Sequence, residues 1–289
     1  MTQQSYSVVR RSFSVSGVDV SYQIYTKNVA SSSERLVLLH GAGVAGELTW
    51  SAIVEHLDHW GQILVPDLRG MGETRHLDGS EYAFTVQEVC DDVVHLLDQL
   101  GWWRFDLGGY SFGGLIAMLL KQRNPSRVGQ LYLLEPALLD RADINEVRSI
   151  RERYSEAAQH IRQQHDPSDG IRLFLDTIAP GRNRSDKTES MTISRLAERP
   201  LGFANALDSV TRSAHEVERD QLLEHLQHAE LFAGGRSVRE LHDHYLHLAR
   251  QNTMVNYHEV KGTDHSLPYQ KPRQIARLMN EARQRYTNS

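Results

Sequence analysis

The chain has 289 residues, 40% hydrophobic and 24% charged, with 37 acidic against 32 basic side chains and a formal net charge of −5. That balance suits a globular protein and lacks the concentrated basic surface that nucleic-acid binding needs. A single cysteine, Cys90, excludes an intramolecular disulfide, no apolar run is long enough to span a bilayer, and residues 1–11 are too polar for a secretory signal, so a cytoplasmic protein away from membranes is expected.

Residues 12–16 and 18–25 alternate around Gly17, which predicts an antiparallel hairpin. Ser31-Ser32-Ser33 reads as a loop. Residues 36–39 form a short continuous apolar run ending in His40-Gly41, the pattern of a strand buried on both faces. A helix is expected over residues 48–60, then a second buried strand at 63–65 ending in Pro66-Asp67. Residues 85–100 give the clearest helix. Thr85 and Glu88 have capping-box spacing, and Val86, Val89, Val93, Leu96, Leu97 and Leu100 form one apolar stripe. A strand at 105–107 should break at Gly108-Gly109, a helix should run over 115–123, and a strand over 131–134 should end at Glu135-Pro136.

The alternation then stops. Residues 137–224 carry mainly amphipathic, charge-rich helical pattern interrupted at Pro167, Gly170, Pro180-Gly181 and Pro200. Strand pattern returns at 229–233 and 255–260, and a final helix is expected over 272–286. This order predicts an α/β protein with a doubly wound, mostly parallel sheet. Residues 1–136 and 225–289 would form its core and 137–224 an inserted helical cap. The site should lie at the carboxyl ends of the strands.

Within Gly109-Tyr110-Ser111-Phe112-Gly113-Gly114 lies a G-x-S-x-G pattern between a predicted strand and a predicted helix. A serine on such a sharp turn presents its hydroxyl at a helix head, where a base can activate it. The competing reading is a glycine-rich turn with an incidental serine. A phosphate loop is excluded by the lack of any Gly-Lys-Ser/Thr.

These motifs resemble those of the α/β-hydrolase superfamily, in its cap-bearing, epoxide-hydrolase-like or esterase-like branch. His40-Gly41-Ala42-Gly43 resembles the oxyanion turn, Asp67-Leu68-Arg69-Gly70-Met71-Gly72 the D-x-R-G-x-G loop, residues 109–113 the nucleophile elbow, and Gly262-Thr263-Asp264-His265 the turn that presents the histidine. The resemblance implies Ser111 as nucleophile, His265 as base, and the backbone N–H groups of Ala42 and Phe112 as oxyanion donors. It implies structural roles for His40, Asp67 and Arg69. Asp264, adjacent to His265 in sequence, is expected to brace the loop.

The resemblance also implies an aspartate after the strand at 229–233, where this chain has Gly234-Gly235-Arg236-Ser237. Serine cannot stabilise an imidazolium as a carboxylate does. Glu135, at the end of the preceding strand, is the favoured acid, since some relatives, including a group of haloalkane dehalogenases, place it there. Asp243 is the fallback. Dehalogenases and epoxide hydrolases of this branch use an aspartate nucleophile, so Ser111 points instead to acyl transfer to water.

His242, His244 and His247 with Glu240 have the residue types of a metal site but not the spacing to share one helix face, so no metal and no cofactor is expected. Arg182, Arg184, Arg195 and Arg199 read as a solvated face, and Trp102-Trp103 as packing. The expected activity is hydrolysis of a small-to-medium ester, thioester or activated C–C bond in a small-molecule substrate. The alternatives are a ligand-binding protein, motivated by the displaced acid, and a cofactor-free perhydrolase or lyase on the same fold. Oligomeric state is open.

Overall fold

The computed structural model describes residues 6–28 and 32–287; Ser31 of the expected serine loop and the first five residues lie outside them. The chain opens with an antiparallel hairpin of β1 (Tyr6–Val15) and β2 (Val18–Lys27). Ser16 and Gly17 both take positive φ, 47° and 79°, the mirror-image turn whose twist matches that of the flanking strands. Then come β3 (Arg35–Leu39), α1 (Gly46–Val54), β4 (Gln62–Pro66), β5 (Arg75–His76), α2 (Val86–Gln99), β6 (Phe105–Tyr110), α3 (Phe112–Arg123) and β7 (Val128–Leu134).

Five helices follow before the sheet resumes: α4 (Ile144–Gln163), α5 (Ser168–Ile178), α6 (Asp186–Leu196), α7 (Pro200–Glu216) and α8 (Arg219–Glu224). The chain closes with β8 (Ala229–Gly234), α9 (Arg239–Gln251), β9 (Val255–Val260), α10 (Leu267–Gln270) and α11 (Pro272–Thr287).

The sheet runs β1-β2-β4-β3-β6-β7-β8-β9, with β5 paired to β2. Every pairing from β4 to β9 is parallel, and β1, β2 and β5 form an antiparallel edge. This is the expected α/β class. Side chains alternate across the sheet. Leu36 and Leu38 join Trp50, Ile53, Ile275 and Met279 beneath α1 and α11, whereas Val37 and Leu39 join the core under α2 and α3 on the other face. The α2 stripe is buried as expected through Leu97, and its capping box is complete: Glu88 N–H donates to Thr85 Oγ1, and Thr85 N–H to Glu88 Oε2.

Several boundaries differ from expectation: β1 begins at Tyr6 rather than residue 12 and β7 at Val128 rather than residue 131. β6 runs straight through Gly108 and Gly109 to Tyr110, because these glycines make room rather than break the strand; a Cβ on Gly108 would lie 2.6 Å from Leu38 Cδ2. α3 begins at Phe112 instead of residue 115, buried from its first turn. α1 stops at Val54, where His56 and Leu57 donate to the carbonyls of Ile53 and Val54 in a tighter turn. The short β5 and α10 had no signal of their own in the sequence.

Candidate active site

The carboxyl ends of β3, β6, β7, β8 and β9 share one edge, and the polar residues identified from the motifs meet there. Ser111 is the single residue between β6 and α3, with φ 52° and ψ −113°. A non-glycine residue at positive φ is strained and persists only where surrounding packing enforces it. Here two glycines let it do so. A Cβ at Gly109 would lie 2.4 Å from the Gly113 carbonyl oxygen, and one at Gly113 would lie 2.4 Å from the carbonyl oxygens of both Leu39 and His40. The same close approach brings the start of α3 against the loop after β3, so Phe112 and Ala42 border one cavity with Ser111. As the first residue of α3, Phe112 has a backbone N–H with no intrahelical acceptor.

His265 sits in the loop between β9 and α10. Its Nε2 lies 3.1 Å from Ser111 Oγ and its Nδ1 lies 2.7 Å from Glu135 Oε2. A carboxylate can only accept, so Nδ1 carries the proton and Nε2 is left to accept from the serine hydroxyl. The ring packs against Tyr110, centroid to centroid 5.2 Å. Asp264 braces the loop: it accepts from Ser266 N–H at 2.9 Å and from Gln270 Nε2 at 3.0 Å.

Glu135 ends β7 with φ 44° and its residue surface is 5% exposed. Burying a carboxylate is costly unless its oxygens are hydrogen-bonded. Its Oε1 accepts from Gly234 N–H at 2.7 Å and from Ser237 Oγ at 2.5 Å, and Oε2 takes the His265 bond. Ser237, at the position where the resemblance implies an aspartate, therefore donates to the Glu135 carboxylate. The fallback Asp243 is corrected: it lies on exposed α9, 3.5 Å from Arg239, and makes no contact with His265.

The motif residues given bracing roles do brace. His40 Nδ1–H donates to the Gly41 carbonyl and Nε2 accepts from Leu68 N–H, both at 2.8 Å, and burial pushes its pKa down. Asp67 accepts from Gly46 N–H at 2.7 Å and Glu73 N–H at 2.8 Å. Arg69 forms a two-point bond to Asp92, 2.8 Å at each nitrogen.

Two cavities open on Ser111 and His265. An inner one of about 30 Å³ runs beneath α4 and α7, with Arg151, Tyr154, Leu207 and Val210 in its wall. An outer one of about 430 Å³ runs toward α5 and α6, past Leu175, Met191 and Tyr269. Arg182 and Arg195 line the outer cavity, which corrects the solvated-face reading: Arg182 is largely buried and pairs with Asp176 at 2.6 Å and Glu189 at 3.5 Å. Arg184 also pairs with Asp176, and Arg199 with Glu81. His242 bonds Tyr257 at 2.5 Å, and among the described residues no three His, Cys, Asp or Glu side chains are grouped to hold a metal. Arg151 and Asp140 were not singled out from the sequence; an arginine within a charge-rich helical pattern gives no sign that it faces inward.

A family model described as the alpha/beta hydrolase fold matches residues 34–286. The chain belongs to the α/β-hydrolase superfamily. Among curated relatives, 2-hydroxy-6-oxo-2,4-heptadienoate hydrolase of Pseudomonas putida is 33% identical over 101 residues, 34% of this chain and 36% of that protein. A pimeloyl-[acyl-carrier protein] methyl ester esterase of Aromatoleum aromaticum is 27% identical over 206 residues, 66% of this chain and 76% of that one. The match thus spans little more than a third of the first relative's length. Among solved structures, an enol-lactonase of Burkholderia xenovorans superposes with TM-score 0.74 at 18% identity, covering 95% of this α/β hydrolase and all of that chain. Its relatives are hydrolases, esterases and lipases. No helix among its described residues is long and apolar enough to cross a membrane.

Proposed function

We propose that this α/β hydrolase is a serine hydrolase that cleaves a small-to-medium ester, thioester or activated C–C bond through an acyl-serine intermediate. The observation that carries the reading is the continuous hydrogen-bond chain from Ser111 Oγ through His265 to Glu135, 3.1 Å and then 2.7 Å. Such a chain fits the nucleophile, base and orienting acid of acyl transfer.

For an ester, His265 Nε2 takes the hydroxyl proton as Oγ attacks the carbonyl carbon. The oxyanion formed is held by the N–H groups of Ala42 and Phe112. The imidazolium, stabilised by Glu135, returns the proton to the departing alcohol as the C–O bond breaks. Water then attacks the acyl-serine with His265 again as base, and the acid leaves. Residues 137–224 act as the cap that walls the substrate cavities. The ligand-binding alternative drew on a missing acid, and the contacts of Glu135 weaken that ground.

Labelling with a fluorophosphonate tests the reading. Rapid modification mapped to Ser111 in the wild type, and lost in His265→Ala, is the expected result. A folded wild-type protein that stays unlabelled overturns it.

A further inference from the structure

Arg151 projects from α4 into the wall of the inner cavity and is 1% exposed. Two contacts fix its guanidinium and a third its backbone. Nη2 pairs with Asp140, the carbon of the guanidinium lies 4.5 Å from the centroid of the Tyr154 ring, and the backbone carbonyl accepts from Thr211 Oγ1 at 2.8 Å. Nε and Nη1 have no acceptor, although both are buried. A guanidinium has five donors, and leaving buried donors of a charged group unmade carries their full desolvation cost. No protein acceptor meets these two nitrogens: Ile150, Phe174, Leu207 and Val210 give the cavity a largely apolar wall, Asp140 is taken up by Nη2, and Glu135, Arg141, Thr177 and Ser237 also line the cavity.

The other wall of this cavity is the reacting centre, with Ser111, Phe112 and His265. At about 30 Å³ the inner cavity is far smaller than the outer one of about 430 Å³. Only a very short unit therefore fits between the scissile carbonyl and Arg151. The outer cavity, about 430 Å³ and mostly apolar, is the space left for the departing group.

Resting on the serine-hydrolase reading above, we propose that Arg151 selects the acyl half of the substrate by binding a carboxylate one or two carbons beyond the scissile carbonyl. The preferred substrates are then half-esters or half-thioesters of short dicarboxylic acids. A carboxylate fits better than a neutral oxygen because a charge-assisted bond in an apolar wall is the strong kind. An uncharged acyl chain would leave the guanidinium donors unmade, so the site rejects it as actively as it accepts the anion.

The test compares monobenzyl succinate with its neutral isostere benzyl succinamate and with benzyl butyrate. The wild type should favour the charged ester in kcat/KM by about 10- to 100-fold, the worth of one or two charge-assisted hydrogen bonds. In Arg151→Gln that ratio should fall to near one. Since this variant strands Asp140 and can fail to fold, a second readout uses the wild type alone. Succinate should protect Ser111 from the fluorophosphonate at concentrations where succinamide does not. A wild type that labels at Ser111 but handles the amide or butyrate ester as well as the half-ester, or is protected equally by succinamide, overturns the carboxylate assignment and leaves the hydrolase reading standing. A wild type that neither labels nor turns over any of the three esters overturns the hydrolase reading, and this proposal with it.

Discussion

The floor of the site and the helices above it treat polar atoms in opposite ways. On the floor, the side chains of Ser111, Glu135, Ser237, Asp264 and His265 are all hydrogen-bonded within the protein. Above them, Arg151 leaves two buried nitrogens without a partner, and Arg182 and Ser209 leave one buried atom each. A satisfied network is rigid and holds reacting groups at fixed distances. An unsatisfied one gains free energy when a ligand arrives. On the proposed mechanism, the contrast separates a floor organised for chemistry from a roof organised for recognition.

The sharpest way to break the comparison is to disturb one atom of the floor. Glu135→Gln should lower kcat by about 10³- to 10⁴-fold, because an amide can turn its N–H toward His265 and reverse the tautomer. Asp243→Asn, on exposed α9, should stay within about twofold of wild type. Steady-state kinetics on one ester decides it, and equal losses would sink the assignment of the acid. Gly113→Ala forces a Cβ against two carbonyl oxygens and should destabilise the fold by about 3 kcal/mol or more in a thermal or urea titration.

Smaller effects sharpen the comparison. Ser237→Ala removes one of three donors to Glu135 and should reduce kcat about 3- to 10-fold with little change in KM. A loss as large as that of Glu135→Gln would mean that Ser237 does more than hold the carboxylate. An effect on stability rather than rate concerns His244 on α9, whose ring nitrogens are both buried without partners. Burial first, then the charges of Arg219 and His247, lower its pKa from 6.5 to about 4. The unfolded chain therefore takes up this proton near pH 6.5 and the folded one only near pH 4. Stability falls as the pH drops through that window. His244→Gln should match wild type in its pH response above pH 7 and gain on it by about 1–2 kcal/mol at pH 4 in urea titrations. Parallel curves would show that the group is solvated.

The sequence carried the sheet and the floor because both rest on short local signals. Buried parallel strands are continuous apolar runs; Ser111 and Glu135 directly follow two of the strands, and His265 lies in the turn after a third. The exchange of roles between Glu135 and Ser237 was legible in part: the serine showed that the usual acid was missing, and a charged residue at a buried strand end showed where a carboxylate would have to be compensated. The hydrogen bond joining the two was not legible, because β7 and β8 are separated by five helices in the chain and become neighbours only in the sheet. Arg151 was invisible for a different reason. Its neighbours on α4 include Arg148, Glu152 and Arg153, and which side of an amphipathic helix meets a cavity depends on how α4 and α7 pack. The glycines at 108 and 109 misled as strand breakers because their purpose is interlayer distance, which no window of sequence contains.

On the proposed assignment, an acid at the end of β7 instead of β8 changes the order in which the ribosome delivers the machinery. Nucleophile, oxyanion donors and acid would all lie within the first 135 residues, while the imidazole and two of the groups that hold the acid, Gly234 and Ser237, come from beyond the helical insertion. A nascent chain that ends between Ser237 and β9 would carry the carboxylate, its two other donors and the serine, and would lack only the histidine that links them. On the proposed mechanism, reactivity is withheld until the last strand docks beside β8, when the helices that screen the serine have already been made.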